Sequence, residues 1–126
     1  MKPRLLLFLW LAGMMTPLNW LQKEFAVLLR PLNFLMAPEW VHILAHLILF
    51  SGLVVLIVRT FKLPLNWQTA GLLLAAILLT AGVQEVFQLQ AKERGFGWPE
   101  VFDIGVDLMG GVVGSSLLLI KKLGRK

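Results

Sequence analysis

Residues 41–58 form an eighteen-residue stretch in which His42, His46 and Ser51 are the only strongly polar side chains, and Arg59 ends it. As a helix it would rise about 27 Å, close to the hydrocarbon thickness of a bilayer. A surface helix of a soluble protein carries a polar face, and this stretch carries none. It is therefore expected to cross a membrane. The rest of the chain agrees: of 126 residues, 58% are hydrophobic and only 15% charged, unlike an ordinary soluble domain. At about 20 residues per crossing there is room for about four spans and for no extramembrane domain of usual size. Any functional groups then stand on the helices or in short loops.

Three more apolar stretches complete the set. Residues 5–21 follow a basic start, 69–87 are interrupted near their end by Gln84 and Glu85, and 101–120 are interrupted near their start by Asp103 and Asp107. The expected fold is all-α, a polytopic membrane helical bundle forming a single domain over residues 1–126. Its spans are expected at about 5–21, 41–58, 69–87 and 101–120. The first is the weakest, because its dense apolar run stops at Met15. A cleaved signal peptide is the rival reading, but Ala12-Gly13-Met14-Met15 offers no small-x-small cleavage site, so retention as an anchor is expected. All six prolines avoid the interiors of the other three spans, and Trp20, Trp40, Trp67 and Trp98 stand at segment boundaries, where indole rings favour the headgroup zone. Residues 22–40 mix Phe25, Val27, Leu28 and Phe34 with polar residues. Pro31 is expected to break any single helix there, leaving an interfacial or re-entrant segment.

Charge orients the bundle. With four spans, the termini and the second connection share one side, which holds eight of the twelve Lys and Arg residues; the other side holds Lys23, Arg30, Lys92 and Arg94. The positive-inside bias puts both termini in the cytoplasm. This arrangement accounts for the net charge of +5 without nucleic acid as a partner. All seven carboxylates, Glu24, Glu39, Glu85, Glu93, Glu100, Asp103 and Asp107, then fall at or near the outer end. Function is expected to face outward. The absence of Cys excludes disulfides, thiolate metal sites and thiol catalysis.

Ionisable groups inside a span cost roughly 2.5–3.5 kcal/mol each on insertion scales, so several together ask for a reason. His42 and His46 share one helix face near the outer end of the second span, Glu85 and Gln88 lie at the outer end of the third, and Asp103 and Asp107 at the outer start of the fourth. His42 also suits a plain interfacial role beside Trp40, and Asp103 a plain role at the positive end of a helix dipole. Asp103, Asp107, Gly110 and Gly114 share an arc of about 60°, so the carboxylate stripe runs into a small-residue stripe suited to close helix packing. Lys92 and Arg94 read either as solvated loop charges or as partners for an anionic group. Glu85, His46 and Asp107 are expected in one cluster.

These residues resemble a known family. The run His46 to Leu53, Glu85-Val86-Phe87-Gln88, then Arg94, and Asp103-Ile104-Gly105-Val106-Asp107-Leu108-Met109-Gly110-Gly111-Val112-Val113-Gly114 are similar to the VanZ-like family of small bacterial membrane proteins. Its pattern is a His with Tyr or Phe four residues on, a Glu-x-x-Gln, an Arg, and Asp-x-x-x-Asn-x-x-Gly-x-x-x-Gly. The resemblance covers about residues 40–118. Asp107 stands where the family usually has Asn, and the stretch from Arg94 to Asp103 is longer than typical. The family is named for a protein associated with teicoplanin resistance. The resemblance implies a multi-pass protein of the bacterial plasma membrane whose site residues include His46, Glu85, Gln88, Arg94, Asp103 and Asp107.

Three functions fit the residues. The first is binding of a membrane lipid or lipid-linked envelope component in an outward polar pocket made by His42, His46, Glu85, Gln88, Arg94, Asp103 and Asp107, to which the family resemblance adds an expected effect on glycopeptide sensitivity. The second is an intramembrane enzyme acting on a lipid headgroup, with His46, Glu85, Asp103 and Asp107 as candidate acid–base groups or ligands of a divalent ion. No nucleophile elbow, HExxH motif or phosphate-cradling glycine loop supports it. The third is a small subunit, bound to a membrane-protein partner or to its own copies, whose polar pairs hold helices together.

Overall fold

The computed structural model describes residues 2–17, 21, 23–36, 38–93 and 95–124. Regular structure among them is helical: α1 (Pro3–Met15), α2 (Ala26–Met36), α3 (Glu39–Phe61), α4 (Trp67–Lys92) and α5 (Trp98–Leu123).

Local chemistry sets the ends of the long helices. Pro38 precedes α3 in extended conformation, Glu39 meets the positive end of its dipole, and Lys62 closes it in the left-handed region at φ 51°. Asn66 caps α4 by accepting the Thr69 N–H at 2.9 Å. Before α5, Glu100 Oε2 accepts the Gly97 N–H at 2.8 Å, and Pro99 sits in the first turn, where a missing N–H costs nothing. These caps lie outside the apolar runs, so α3, α4 and α5 extend past the expected spans at both ends. They are 23, 26 and 26 residues long, enough to cross a bilayer.

Their surfaces match that length. Only 28%, 28% and 22% of the apolar windows of α3, α4 and α5 is buried inside the bundle. Leu72, Leu79, Met109, Val112 and Leu117 point outward. Three helices are thus long and apolar enough to cross a membrane. Trp40, Trp67 and Trp98 are exposed in their first turns, while Trp20 lies outside the described residues.

Two expectations change. The first apolar segment forms a helix of 13 residues, Pro3–Met15, about 20 Å long, and not one running on to residue 21. Pro17 follows its end, and residues 18–20 lie outside the described set. Pro31 does not break the segment after it: α2 runs through it from Ala26 to Met36. The proline removes one hydrogen bond, to the Val27 carbonyl. Val27 is 84% exposed, so that carbonyl has open surroundings and the helix continues.

Packing is tightest between α3 and α5, which run parallel, with α4 returning between them in the chain. A Cβ built on Gly110 would lie 2.9 Å from the Leu47 carbonyl oxygen, and one on Gly114 2.6 Å from that of Ser51. The missing side chains let the two backbones approach, and Ser51 Oγ donates across the seam to the Gly110 carbonyl at 2.8 Å. Phe50, Leu53 and Val54 of α3 are buried in one core with Leu73, Ile77 and Ala81 of α4. Helix α1 lies antiparallel to α3 and adds Leu7 and Met14 to the same core. Its Pro3 carbonyl accepts from Thr60 Oγ1 at 3.4 Å, and its Trp10 indole covers Gly52 while donating to the Leu49 carbonyl at 3.0 Å.

Candidate functional site

Because α3 and α5 are parallel, their polar pairs meet as rungs of a ladder. His46 Nδ1 lies 2.6 Å from Asp107 Oδ1, and His42 Nε2 lies 3.5 Å from Asp103 Oδ2. In each rung the partner is 61 positions further along the chain. The four-residue spacing on both helices puts the rungs one turn apart. The inner rung is closed off, with His46 4% and Asp107 0% exposed. The outer rung is open, the His42 side chain being 42% exposed. The two imidazoles pack with centroids 4.4 Å apart. Phe50, fully buried, stacks on His46 from the next turn down at 6.4 Å. When Nδ1–H donates to Asp107, the ring is held in one orientation and Nε2 is left for another partner.

Helix α4 brings the third group of polar residues. Glu85 is 1% exposed and within charge-interaction range of Asp103, His46 and Asp107. Gln84 is 6% exposed. The Oε1 atoms of both, and Asp107 Oδ2, are buried with no hydrogen-bond partner among the described residues. Such acceptors are costly in an apolar interior, so they mark where a donor or a cation would be bound most strongly. One turn on, Lys92 Nζ donates to Gln88 Oε1 at 3.3 Å.

Two clefts open at this end of the bundle. One, of about 300 Å³, lies between α1, α3 and α4 and is lined by Met14, Thr16, His42, His46, Gln84 and Gln88, among others. The second, of about 430 Å³, reaches Glu39, Ile43, Trp98, Phe102 and Asp103. His42 and Lys92 line both and form their shared wall. A larger cleft, of about 540 Å³, lies at the opposite end, lined by Arg59, Leu118, Lys121 and Lys122. Among the described residues its lining holds no imidazole or carboxylate, and the mixed chemistry stands at the first end.

Of the residues expected at the site, the structure brings together His42, His46, Glu85, Asp103 and Asp107, with Gln88 on the rim. Arg94 lies outside the described residues. His42 is a rung partner of Asp103 and not only a boundary residue beside Trp40. Sequence reasoning passed over Gln84 as an interruption of the apolar run, and left Lys92 undecided between solvated charge and partner. It also gave no role to Glu100, which is 1% exposed. Gly97 followed three residues later by Glu100 is a legible capping spacing that could have found the last. Comparison of the chain with family models, curated proteins and solved structures finds no match.

Proposed function

We propose that this chain is a VanZ-like, multi-pass protein of the bacterial plasma membrane that holds the anionic headgroup of a lipid or lipid-linked envelope component. One observation carries the reading: two adjoining clefts share a cationic Lys92 and a half-exposed His42 at the end of three membrane-length helices. Lipid tails would lie along the apolar flanks while phosphate oxygens meet lysine and imidazole donors. Support for the family comes from the motif residues His46, Phe50, Asp103, Asp107, Gly110 and Gly114, which pack along one seam between α3 and α5. In the proposed topology the termini are cytoplasmic, following the distribution of Lys and Arg. The segment containing α1 makes a fourth crossing, its antiparallel course beside α3 fitting that role.

Native mass spectrometry of the protein extracted from membranes containing phosphatidylglycerol tests the headgroup reading. The wild-type chain is expected to retain an anionic phospholipid that Lys92→Gln combined with His42→Asn releases. Lys121→Gln with Lys122→Gln, at the opposite end, should not release it. Equal retention by all three proteins would overturn the assignment of the clefts. In a teicoplanin-sensitive host, expression is expected to raise the minimum inhibitory concentration. An unchanged value despite confirmed membrane insertion removes the resistance role.

A further inference from the structure

We infer that His42, His46 and Asp103 bind a divalent transition ion of the Zn²⁺ class, with Asp107 as the positioning residue for His46. One donor atom from each of the three lies within 4.8 Å of the others. Ligands about 2.0–2.1 Å from a tetrahedral ion stand about 3.4 Å from one another. The His42 to Asp103 separation of 3.5 Å already matches that edge. For the donor atoms that lie within 4.8 Å of one another, the remaining edges need to close by at most about 1.4 Å. His42, the most exposed of the three, has room to make that movement.

The inner rung supplies what such a site requires next. A histidine that ligates through one ring nitrogen commonly donates its other N–H to a carboxylate, which fixes the ring and raises its basicity. Asp107 stands in that relation to His46, at 2.6 Å from Nδ1, so Nε2 is the atom His46 has to offer. A second observation points to a bound group independently of the donor cluster. Gln84 lines the same cleft as His42 and His46, and its buried Oε1 has no partner among the described residues. That acceptor suits the hydrogens of a metal-bound water. Two imidazoles and one carboxylate favour a Zn²⁺-class ion over Mg²⁺ or Ca²⁺, which prefer oxygen alone. Three protein ligands leave a coordination position for a water or a phosphate oxygen. This use of the ion rests on the headgroup reading above; its binding does not.

The test is titration of the full chain in detergent with Co²⁺, as a spectroscopic substitute, and with Zn²⁺ in competition against a chelator. The wild-type protein is expected to take one ion per chain, with the visible absorption of a low-coordinate, nitrogen-ligated Co²⁺. His42→Asn and Asp103→Asn should each abolish stoichiometric binding, and exposed Glu93→Gln should leave it unchanged. Asp107→Asn should keep the absorption but weaken affinity about 10–100-fold. Circular dichroism and monodispersity establish that each variant is folded, and His42→Asn keeps the test decisive should Asp107→Asn fail to fold. Folded wild-type protein that binds no Co²⁺ or Zn²⁺ overturns the inference, as does full binding by both His42→Asn and Asp103→Asn. Failures of the two readings separate cleanly. A chain that binds no metal yet releases phosphatidylglycerol on Lys92 and His42 substitution overturns the metal site alone. A chain that takes Co²⁺ and retains no lipid overturns the headgroup reading alone.

Discussion

Gly114→Ala is expected to lower the melting temperature of the detergent-purified protein, and Gly114→Leu to prevent recovery of folded, monodisperse material. A Cβ at this position would stand 2.6 Å from the Ser51 carbonyl oxygen and 2.9 Å from its Cα. Backbone atoms of a packed helix cannot step aside as a side-chain end can, so α3 and α5 must separate. Overpacking of this kind costs about 1–3 kcal/mol for a small addition. Separation also lengthens the Ser51 to Gly110 hydrogen bond that crosses the seam at 2.8 Å. Gly105→Ala is the control. A Cβ there meets nothing within 4 Å, and alanine is favoured over glycine in a helix by about 1 kcal/mol. Thermal scanning of the two alanine variants side by side decides the matter. If both melt alike, the close approach of α3 and α5 is not what holds them.

His46→Leu and Asp107→Leu, made singly, are expected to destabilise the bundle by about 3–5 kcal/mol each, because each leaves its partner buried and unpaired. Exposures of 4% and 0% give neither group access to surroundings that could compensate. The double substitution removes both and is expected to recover much of the loss, since a matched apolar pair often replaces a buried ion pair without penalty. Asp107→Asn keeps an acceptor for Nδ1–H and is expected to fold. A double-mutant cycle on melting or denaturant midpoints reads the coupling. Additive losses in the double variant would show that the rung contributes nothing as a pair. The recovered double variant also separates stability from function: it is expected to be folded yet unable to bind Co²⁺.

The long helices were legible because lipid leaves a plain mark on composition. Residues 41–58 lack the polar face that a surface helix of a soluble chain carries. Their ends were less legible, because Asn66, Gly97 and Glu100 extend the helices by capping chemistry that lies outside the apolar run. The end of the bundle carrying the site could be read from His42, His46, Glu85, Asp103 and Asp107, each expensive at membrane depth. Which histidine meets which aspartate could not. That register depends on how closely α3 and α5 approach, and so on Gly110 and Gly114 facing Leu47 and Ser51, residues far apart in the chain. Pro31 misled for a related reason: a proline's effect on a helix depends on whether the freed carbonyl is enclosed, and spacing alone does not say that. The early stop of α1 at Met15 was visible as the end of its dense apolar run, but a shortened helix and a weak span look alike in sequence.

The end of α1 and the residues just after it lend Gly13, Met14, Thr16 and Pro17 to the cleft of about 300 Å³, yet take no part in the glycine seam or in either rung. One wall of the opening is therefore encoded apart from the glycine seam and the rungs, although His42, His46 and Gln84 of the scaffold helices form the rest of it. Gly13 and Thr16 are exposed and free to diverge with little penalty to folding, whereas Met14 is held in the buried core; exchanging the exposed pair between homologous proteins should transfer selectivity among guest molecules while the polar ladder behind it stays the same.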